Sequence, residues 1–140
     1  MALTVERFDT WVAGMDDTPG SLAEKLETLA EGGVNLEFVI ARRAPEKPGS
    51  GVVFATPVKG AKQAAAARKA GLHKTKSLVS IRVEGTDKKG RGAELTRTLA
   101  DAGINLRGLS ATAVGRKFVA HIALDTPADA TKAARLLRKM

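Results

Sequence analysis

The sequence predicts an α+β protein made of two tandem β-α-β-β-α-β repeats, with helices on one face of an antiparallel sheet. The first observation is internal similarity at an offset of 70 residues, half of the 140-residue chain. Between positions 17 and 36, ten of twenty residues are identical to those 70 positions later. The second observation is that both halves show the same order of apolar patterns. The identical residues of the first half are Asp17, Gly20, Ala23, Glu24, Thr28, Leu29, Ala30, Gly33, Asn35 and Leu36.

Each repeat opens with a strand, predicted at 8–14 and at 78–84. In the second of these, Val79, Ile81 and Val83 alternate with polar residues, which is the period of a half-buried strand.

A helix follows each opening strand, at about 19–31 and 90–102. In the first copy Asp17 or Thr18 is expected to cap the helix, and Ser21–Glu24 has the pattern of a capping box. Apolar residues at helical spacing predict that one side of each helix faces a core.

Gly33 and Gly103 are expected to end these helices in a left-handed conformation. Two strands joined by a turn follow in each repeat, and a Thr-Pro pair is then expected to start the second helix. The predicted strands are 34–43 and 51–56 in the first repeat and 104–114 and 117–124 in the second, and the Thr-Pro pairs are 56–57 and 126–127.

The fourth strand has a different source in each repeat. Residues 71–76 can supply it in the first repeat, whereas the second repeat reaches Met140 without one. We therefore expect residues 2–7 to fill that vacancy, because an unpaired sheet edge is a liability. The predicted domains are residues 1–70 and 71–140, with this borrowed strand completing the second.

Composition restricts the classes of function. There is no cysteine, and the two histidines are not at ligand spacing, so no metal or other cofactor is predicted. One Trp, four Phe and no Tyr provide little for base stacking. No apolar run has the length of a membrane helix and no leading stretch resembles a signal peptide, which predicts a cytoplasmic protein without membrane contact.

The formal net charge of +8 lies entirely in the second half. Residues 1–70 contain nine basic and nine acidic side chains, and residues 71–140 contain fourteen basic and six acidic ones. Such asymmetry suits an anionic partner or a solvated basic face. Nucleic acid is the less favoured partner, because the chain shows no helix-turn-helix, no zinc finger and no stacking aromatics.

Two motifs carry a resemblance to a known family. Asp17-Thr18-Pro19-Gly20-Ser21-Leu22 follows the first strand, and Gly33-Val34-Asn35-Leu36 follows the first helix. This arrangement resembles the ACT domain family, and the second half retains it with Lys89 in place of the proline. The resemblance covers nearly the whole chain as two copies. It implies two ferredoxin-like units that bind amino acids at interfaces between repeats or subunits and regulate metabolism.

The first loop has the groups that a zwitterion requires. A helix N-terminus offers backbone N–H groups to a carboxylate, and a carboxylate such as Asp17 can accept from an ammonium group. The resemblance extends the candidate ligand-binding residues of this repeat to Met15, Asp17, Thr18, Pro19, Gly20, Ser21, Asn35 and Leu36. In the serine-binding branch of the family a His and an Asn occupy the positions of Met15 and Asp17, so serine specificity does not follow.

The second loop is basic, with Lys88, Lys89 and Arg91 around Gly90. Cations at a helix N-terminus oppose its dipole, so an anionic ligand or an acidic partner surface would stabilise them. The alternative is a ligand-free copy retained for packing. The candidate ligand-binding residues here are Asp87, Gly90, Arg91 and Asn105.

The function that follows is a non-catalytic regulatory module that binds an amino acid, as a homodimer and with a regulated enzyme as a possible partner. No nucleophile–base pair, metal cluster or phosphate loop suggests an enzyme. The alternative is a ligand-free interaction subunit of a separate enzyme or transcription factor.

Overall fold

The structure is a computed structural model that describes residues 3–75 and 79–140. The chain divides into two compact units. One is Asp9–Thr75, and the described residues 3–8 and 79–140 form the other. The strands are β1 (Thr4–Phe8), β2 (Trp11–Asp16), β3 (Phe38–Arg43), β4 (Ser50–Thr56), β5 (His73–Lys74), β6 (Val79–Thr86), β7 (Leu106–Val114) and β8 (Lys117–Leu124). The helices are α1 (Ser21–Glu31), α2 (Gly60–Lys69), α3 (Arg91–Asp101) and α4 (Pro127–Arg138).

The Asp9–Thr75 unit contains a four-stranded antiparallel sheet in the order β3-β4-β2-β5. Its core joins alternate residues of β2 and β4 to α1 and α2, with Trp11 beside Ala55 in the register and both buried. Leu29 of α1 and Ala67 of α2 close the core from the helical side. Along β4 buried residues alternate with partly buried ones, and the fully buried set lies on the face that the helices cover.

The other unit repeats this plan with the order β1-β6-β8-β7. Its core is larger and lies between one sheet face and the helices α3 and α4. The N-terminal strand β1 pairs antiparallel with β6 at the edge of this sheet. The Arg138 guanidinium donates to the Val5 carbonyl at 2.8 Å, and the buried Leu3 side chain occupies the space beside Gly85. Each unit thus has two helices and four strands, arranged as β-α-β-β-α plus one edge strand, and the predicted fold class is confirmed.

The structure differs from the prediction at the Thr-Pro pairs. Thr126 caps α4 by accepting from the backbone N–H of Asp129 at 3.0 Å, as expected. Thr56–Pro57 is instead a cis peptide at the end of β4, and α2 begins only at Gly60. The two Thr-Pro pairs are therefore identical in sequence but stand at different places relative to the helix that follows each of them. The strands of the described residues form two sheets, one in each unit.

Other boundaries move by a few residues. The strand predicted from residue 34 begins at Phe38, and the opening strand predicted at 8–14 is β2, which begins at Trp11. The strands predicted at 2–7, 71–76 and 78–84 each include a residue that lies outside the described part of the chain, namely 2, 76 and 78.

Glycine ends the first helix of each unit as predicted. Gly33 has φ +85° and Gly103 has φ +76°, a conformation that side-chain-bearing residues rarely adopt. The N–H of Val34 reaches back to the Leu29 carbonyl at 3.0 Å, and Ile104 makes the corresponding bond. These bonds satisfy helix carbonyls that would otherwise lack a donor.

Candidate functional site

The first predicted loop lies where β2 and β3 end. Both strands pair antiparallel with β4 and therefore run in the same direction, so their C-terminal ends meet at one edge of the unit. This brings Arg43, the last residue of β3, to Asp17. The Arg43 Nε donates to Asp17 Oδ2 at 2.8 Å, and the two side chains are 83% and 37% exposed. The Asp17 backbone N–H also donates to the Gly49 carbonyl at 3.0 Å.

The entry into α1 is made by backbone conformation. Gly20 is the N-cap residue with φ 92°, and no side chain caps this end of the helix. The expected caps from Asp17 or Thr18, and the expected capping box at Ser21–Glu24, are therefore wrong. Asp17 is turned toward Arg43, and the Thr18 hydroxyl lies 2.8 Å from that of Ser21. The loop is exposed from Asp16 through Gly20, Pro19 included.

Met15 and Leu36 lie against the core of their unit. Both are partly buried and pack on its buried cluster. The Met15 methyl group lies 3.2 Å from the place where a Cβ at Gly51 would stand, so Met15 fills the space left by that glycine. Met15 contributes apolar packing beside the loop, whereas Leu36 comes after α1 and packs on the core away from the loop.

Asn35 is at the other end of the unit. It follows α1, whereas Asp17 precedes it, and the eleven residues of that helix span about 16 Å. The backbone agrees with this separation, because the Glu37 N–H donates to the Thr56 carbonyl near the start of β2. Asn35 is exposed, and its amide makes no hydrogen bond within the described ranges. The structure therefore brings Asp17, Gly20 and Ser21 together but does not bring Asn35 to them.

The second loop has the same backbone and different side-chain partners. Gly90 is the α3 N-cap with φ 83°, and the Asp87 N–H donates to the Arg116 carbonyl at 2.8 Å. Among the residues that the structure describes, no cation pairs with the Asp87 carboxylate. Asn105 is exposed and follows α3, at the opposite end of its unit from Asp87.

Arg91 is the main departure from the predicted anion site. Its side chain is turned inward, only 8% of the residue is exposed, and Nη2 and Nε donate to the Thr86 carbonyl at 2.9 and 3.3 Å. Lys88 is also engaged, because its ammonium lies 3.1 Å from the Glu94 carboxylate. Of the three predicted cations, Lys89 alone has neither an ion pair nor a side-chain hydrogen bond in the described part of the chain. Two thirds of the local positive charge thus has partners within the unit.

Arg43 is the residue that sequence reasoning missed. The sequence contained the information needed to find it. The predicted strand 34–43 ends in two arginines. If this strand and the opening strand both pair antiparallel with a third strand between them, the two must run in the same direction. The ends of such strands coincide, which places Arg43 beside the residue that follows β2.

A shallow groove of about 660 Å³ runs along α3 from the second loop. Its lining combines small residues with one acidic and one basic residue: Gly90, Ala93, Glu94, Thr96, Arg97 and Ala100. Within the described ranges, no three His, Asp or Glu side chains converge in a way that would hold a metal ion. No helix among the described residues has the length and apolar character to cross a membrane.

Solved structures share this arrangement across nearly the whole chain. Protein BT0572 from Bacteroides thetaiotaomicron superposes with a TM-score of 0.78 at 14% identity, covering 94% of this chain and 88% of that one. The ligand-free regulatory subunit of aspartate kinase from Thermus thermophilus gives 0.67 at 16% identity, with 99% and 96% covered. The aspartokinase alpha and beta subunits give 0.65 at 17% identity with the same coverage.

The chain has the tandem ACT fold. No family model and no curated protein sequence matches it, so the likeness is one of structure at low sequence identity. The loops at Asp17 and Asp87 occupy the same place in their respective ACT units, after the first strand and before the first helix. The two ACT units differ in what surrounds that loop, an exposed ion pair in one and a buried arginine in the other.

Proposed function

We propose that this protein is a non-catalytic regulatory module that binds an amino acid at the Asp17 loop. The observation that carries the proposal is the exposed Asp17–Arg43 pair at the N-terminus of α1. A carboxylate and a guanidinium side by side present the two charges that complement an α-amino acid. The ligand ammonium would pair with Asp17 and its carboxylate with Arg43 and the N–H groups of the first turn.

A ligand can displace the Asp17–Arg43 contact because this ion pair is weak. Exposed ion pairs contribute about 0–1 kcal/mol, since water competes for both partners. A zwitterion can therefore replace the direct contact at little cost and satisfy both charges again. Met15, partly buried beside the loop, would offer an apolar contact to the ligand side chain.

In this proposal, a second copy of the chain contributes Asn35 to the site. It lies at the far end of α1 from Asp17, so one ACT unit alone does not offer both groups to one small ligand. A homodimer that places the Asn35 end of one copy against the Asp17 loop of its partner would complete the site. The role of the second loop is then packing, with Arg91 supporting the backbone through Thr86.

The likeness to regulatory subunits of aspartate kinase supports a regulatory role, and a separate enzyme is the partner that such a module would control. In this proposal the chain carries no catalytic residue of its own. Binding without turnover is the expected behaviour.

Thermal denaturation with each of the twenty amino acids tests the proposal. A ligand at one hundred times its dissociation constant adds about 2.7 kcal/mol of stability. We expect one amino acid or a small group to raise the melting temperature, and Arg43→Gln and Asp17→Asn each to abolish the rise. Asp87→Asn, the matched change in the second unit, should leave it intact.

No response to any amino acid would overturn the amino-acid role and favour the ligand-free interaction subunit. A response that persists in both Arg43→Gln and Asp17→Asn would place the site elsewhere.

A further inference from the structure

Two helices expose opposite charges at the same spacing. Each set of three charged residues follows i, i+3, i+7, which forms a stripe about 10 Å long on one side of a helix. All six side chains are exposed. The acidic stripe is Glu24, Glu27 and Glu31 on α1, and the basic stripe is Lys132, Arg135 and Lys139 on α4.

The acidic stripe has no compensating cation in its own unit. Across the described ranges, no Lys or Arg lies within salt-bridge distance of these carboxylates, and the neighbouring Lys25 instead donates to the Ala70 carbonyl at 2.8 Å. Glu27 and Glu31 are one turn apart, and like charges at that spacing repel. A cationic surface placed on α1 would relieve this repulsion.

The matched helix of the other unit shows that the lack is particular to α1. On α3, 70 residues later, Glu94 pairs with Lys88 at 3.1 Å and Asp101 pairs with Arg97 at 3.3 Å. Arg97, a cation, is thus the residue of α3 that corresponds to Glu27 of α1. The charges of α3 are satisfied within the chain, and those of α1 are left for another surface.

The basic stripe is only partly engaged. The Lys132 ammonium donates to the Ala102 carbonyl at 2.8 Å, which ties α4 to the end of α3. Arg135 and Lys139 have no acid within salt-bridge distance in the part of the chain that the structure describes. They too are like charges one turn apart.

Small residues beside the acidic stripe permit close approach. Ala23 and Ala30 are exposed on the same side of α1 and extend no further than a methyl group. Packed helices approach to 8–10 Å when the side chains at the contact allow it. Long Lys and Arg side chains can then reach carboxylates without an intervening bulky residue.

We propose that the acidic stripe of one copy docks on the basic stripe of a second copy. This contact supplies a surface for the homodimer and rests on that part of the proposed function, while it requires no ligand. If the contact closes with two-fold symmetry, each dimer contains it twice. Because the contact is ionic and exposed, salt weakens it.

Two double variants and sedimentation velocity test the contact. Glu27→Lys with Glu31→Lys makes both stripes positive, and Arg135→Glu with Lys139→Glu makes both predominantly negative. Each variant alone should associate at least about tenfold more weakly than the natural chain at low ionic strength. An equimolar mixture should regain association as a heterodimer, because each stripe again meets its opposite.

The control lies on α2 at positions 70 residues before Lys132 and Lys139. Lys62→Glu with Lys69→Glu changes the net charge by the same amount as Arg135→Glu with Lys139→Glu, and it should leave association unchanged. Circular dichroism verifies that every variant is folded. The two basic-stripe changes omit Lys132, so the bond to Ala102 is retained.

Three results would overturn the proposal: a natural chain that stays monomeric at low salt, association that survives both double variants, or a mixture that forms no heterodimer. Association that survives would place the contact on another surface, such as the edge strand β7 with its exposed Leu109 and Val114. The amino-acid response of the Asp17 loop is measured separately, so its failure is distinguishable from failure of this contact.

Discussion

The loops before α1 and α3 occupy matching places in the two ACT units, yet their side chains are held in different ways. Asp17 reaches Arg43 across the surface, in a pair of which 37% and 83% of the side chains are exposed. Arg91 turns inward and donates twice to the Thr86 carbonyl. One loop therefore has a solvent-exposed ion pair, and the other has a buried hydrogen-bonded arginine.

This difference shows which features of the duplicated loop are fixed by the fold. A glycine with positive φ precedes the helix in both units, at Gly20 and Gly90. That conformation is strained for other residues, and it lets the chain enter the helix without a side-chain cap. The side chains around this glycine are not fixed in the same way, and their differences give the two loops different chemistry.

The largest expected effect concerns the source of each fourth strand. Deleting residues 1–7 removes the buried Leu3 and most of β1 with its buried Val5, and it opens the edge of the sheet at β6. Burial of each such side chain stabilises by about 1.5–3 kcal/mol, so a loss of about 3–6 kcal/mol is expected in that unit. Far-UV circular dichroism should then show an early unfolding transition.

The single tryptophan provides the internal control for this deletion. Trp11 is buried in the other unit, so its fluorescence reports the Asp9–Thr75 core. Its transition should move much less than the circular dichroism transition. A deletion that leaves both transitions in place would show that β1 contributes little to the sheet.

Arg91→Ala should have the next largest effect, because it sharpens the contrast between the loops. The change leaves the Thr86 carbonyl without its donor and removes a buried side chain, at a cost of about 1–3 kcal/mol. Ser21→Ala, the matched change, should alter stability by no more than about 0.5 kcal/mol. Urea denaturation measures both, and equal losses would contradict the buried role of Arg91.

Most of the fold could be predicted because it depends on local patterns. Helix ends follow from Gly33 and Gly103, whose left-handed conformation is a property of glycine itself. The strand at 2–7 was predicted by counting strands, and in the structure β1 pairs with β6. The start of α2 was not predictable from Thr56-Pro57, because the Thr56 hydroxyl donates to the distant Asp9 carbonyl and α2 begins only at Gly60.

The site was harder to predict because it depends on which strand ends meet. Arg43 and Asp17 are 26 residues apart and come together only through the shared pairing of β2 and β3 with β4. Grouping Asn35 with Asp17 followed a resemblance between motifs, although the predicted helix at 19–31 already separated the two residues. The length of α1 keeps Asn35 away from the Asp17 loop of the same unit.

A smaller effect tests the two Thr-Pro pairs. Thr126→Ala removes the oxygen that caps α4 through the Asp129 N–H, which should cost about 1 kcal/mol. Thr126→Ser keeps the oxygen and should cost less. Hydrogen exchange should be faster in the first turn of α4 alone, since the Thr56 hydroxyl donates to the Asp9 carbonyl and does not cap α2. Equal exchange in both variants would contradict the cap.

The smallest effect is a dependence on pH that only one unit should show. The Arg82 guanidinium, which donates to Glu84 at 2.9 Å, lowers the pKa of that carboxyl below its usual 4.5, and Lys117 adds to the effect. A carboxyl with a depressed pKa in the folded state stabilises the fold above about pH 4.5, and this stabilisation is lost as the pH falls through the lower folded value. The matched position in the Asp9–Thr75 unit is Gly14, which has no such group.

Carbon-detected NMR titration of the glutamate carboxyls measures this directly. The Glu84 pKa should lie below its usual value, and Glu84→Gln should reduce the loss of stability on acidification in its own unit. Lys117→Gln, which removes the smaller cause, should move the Glu84 pKa part of the way back. A Glu84 pKa at its usual value would show that the Arg82 pair is too solvated to matter, and the two ACT units would then differ in their loops alone.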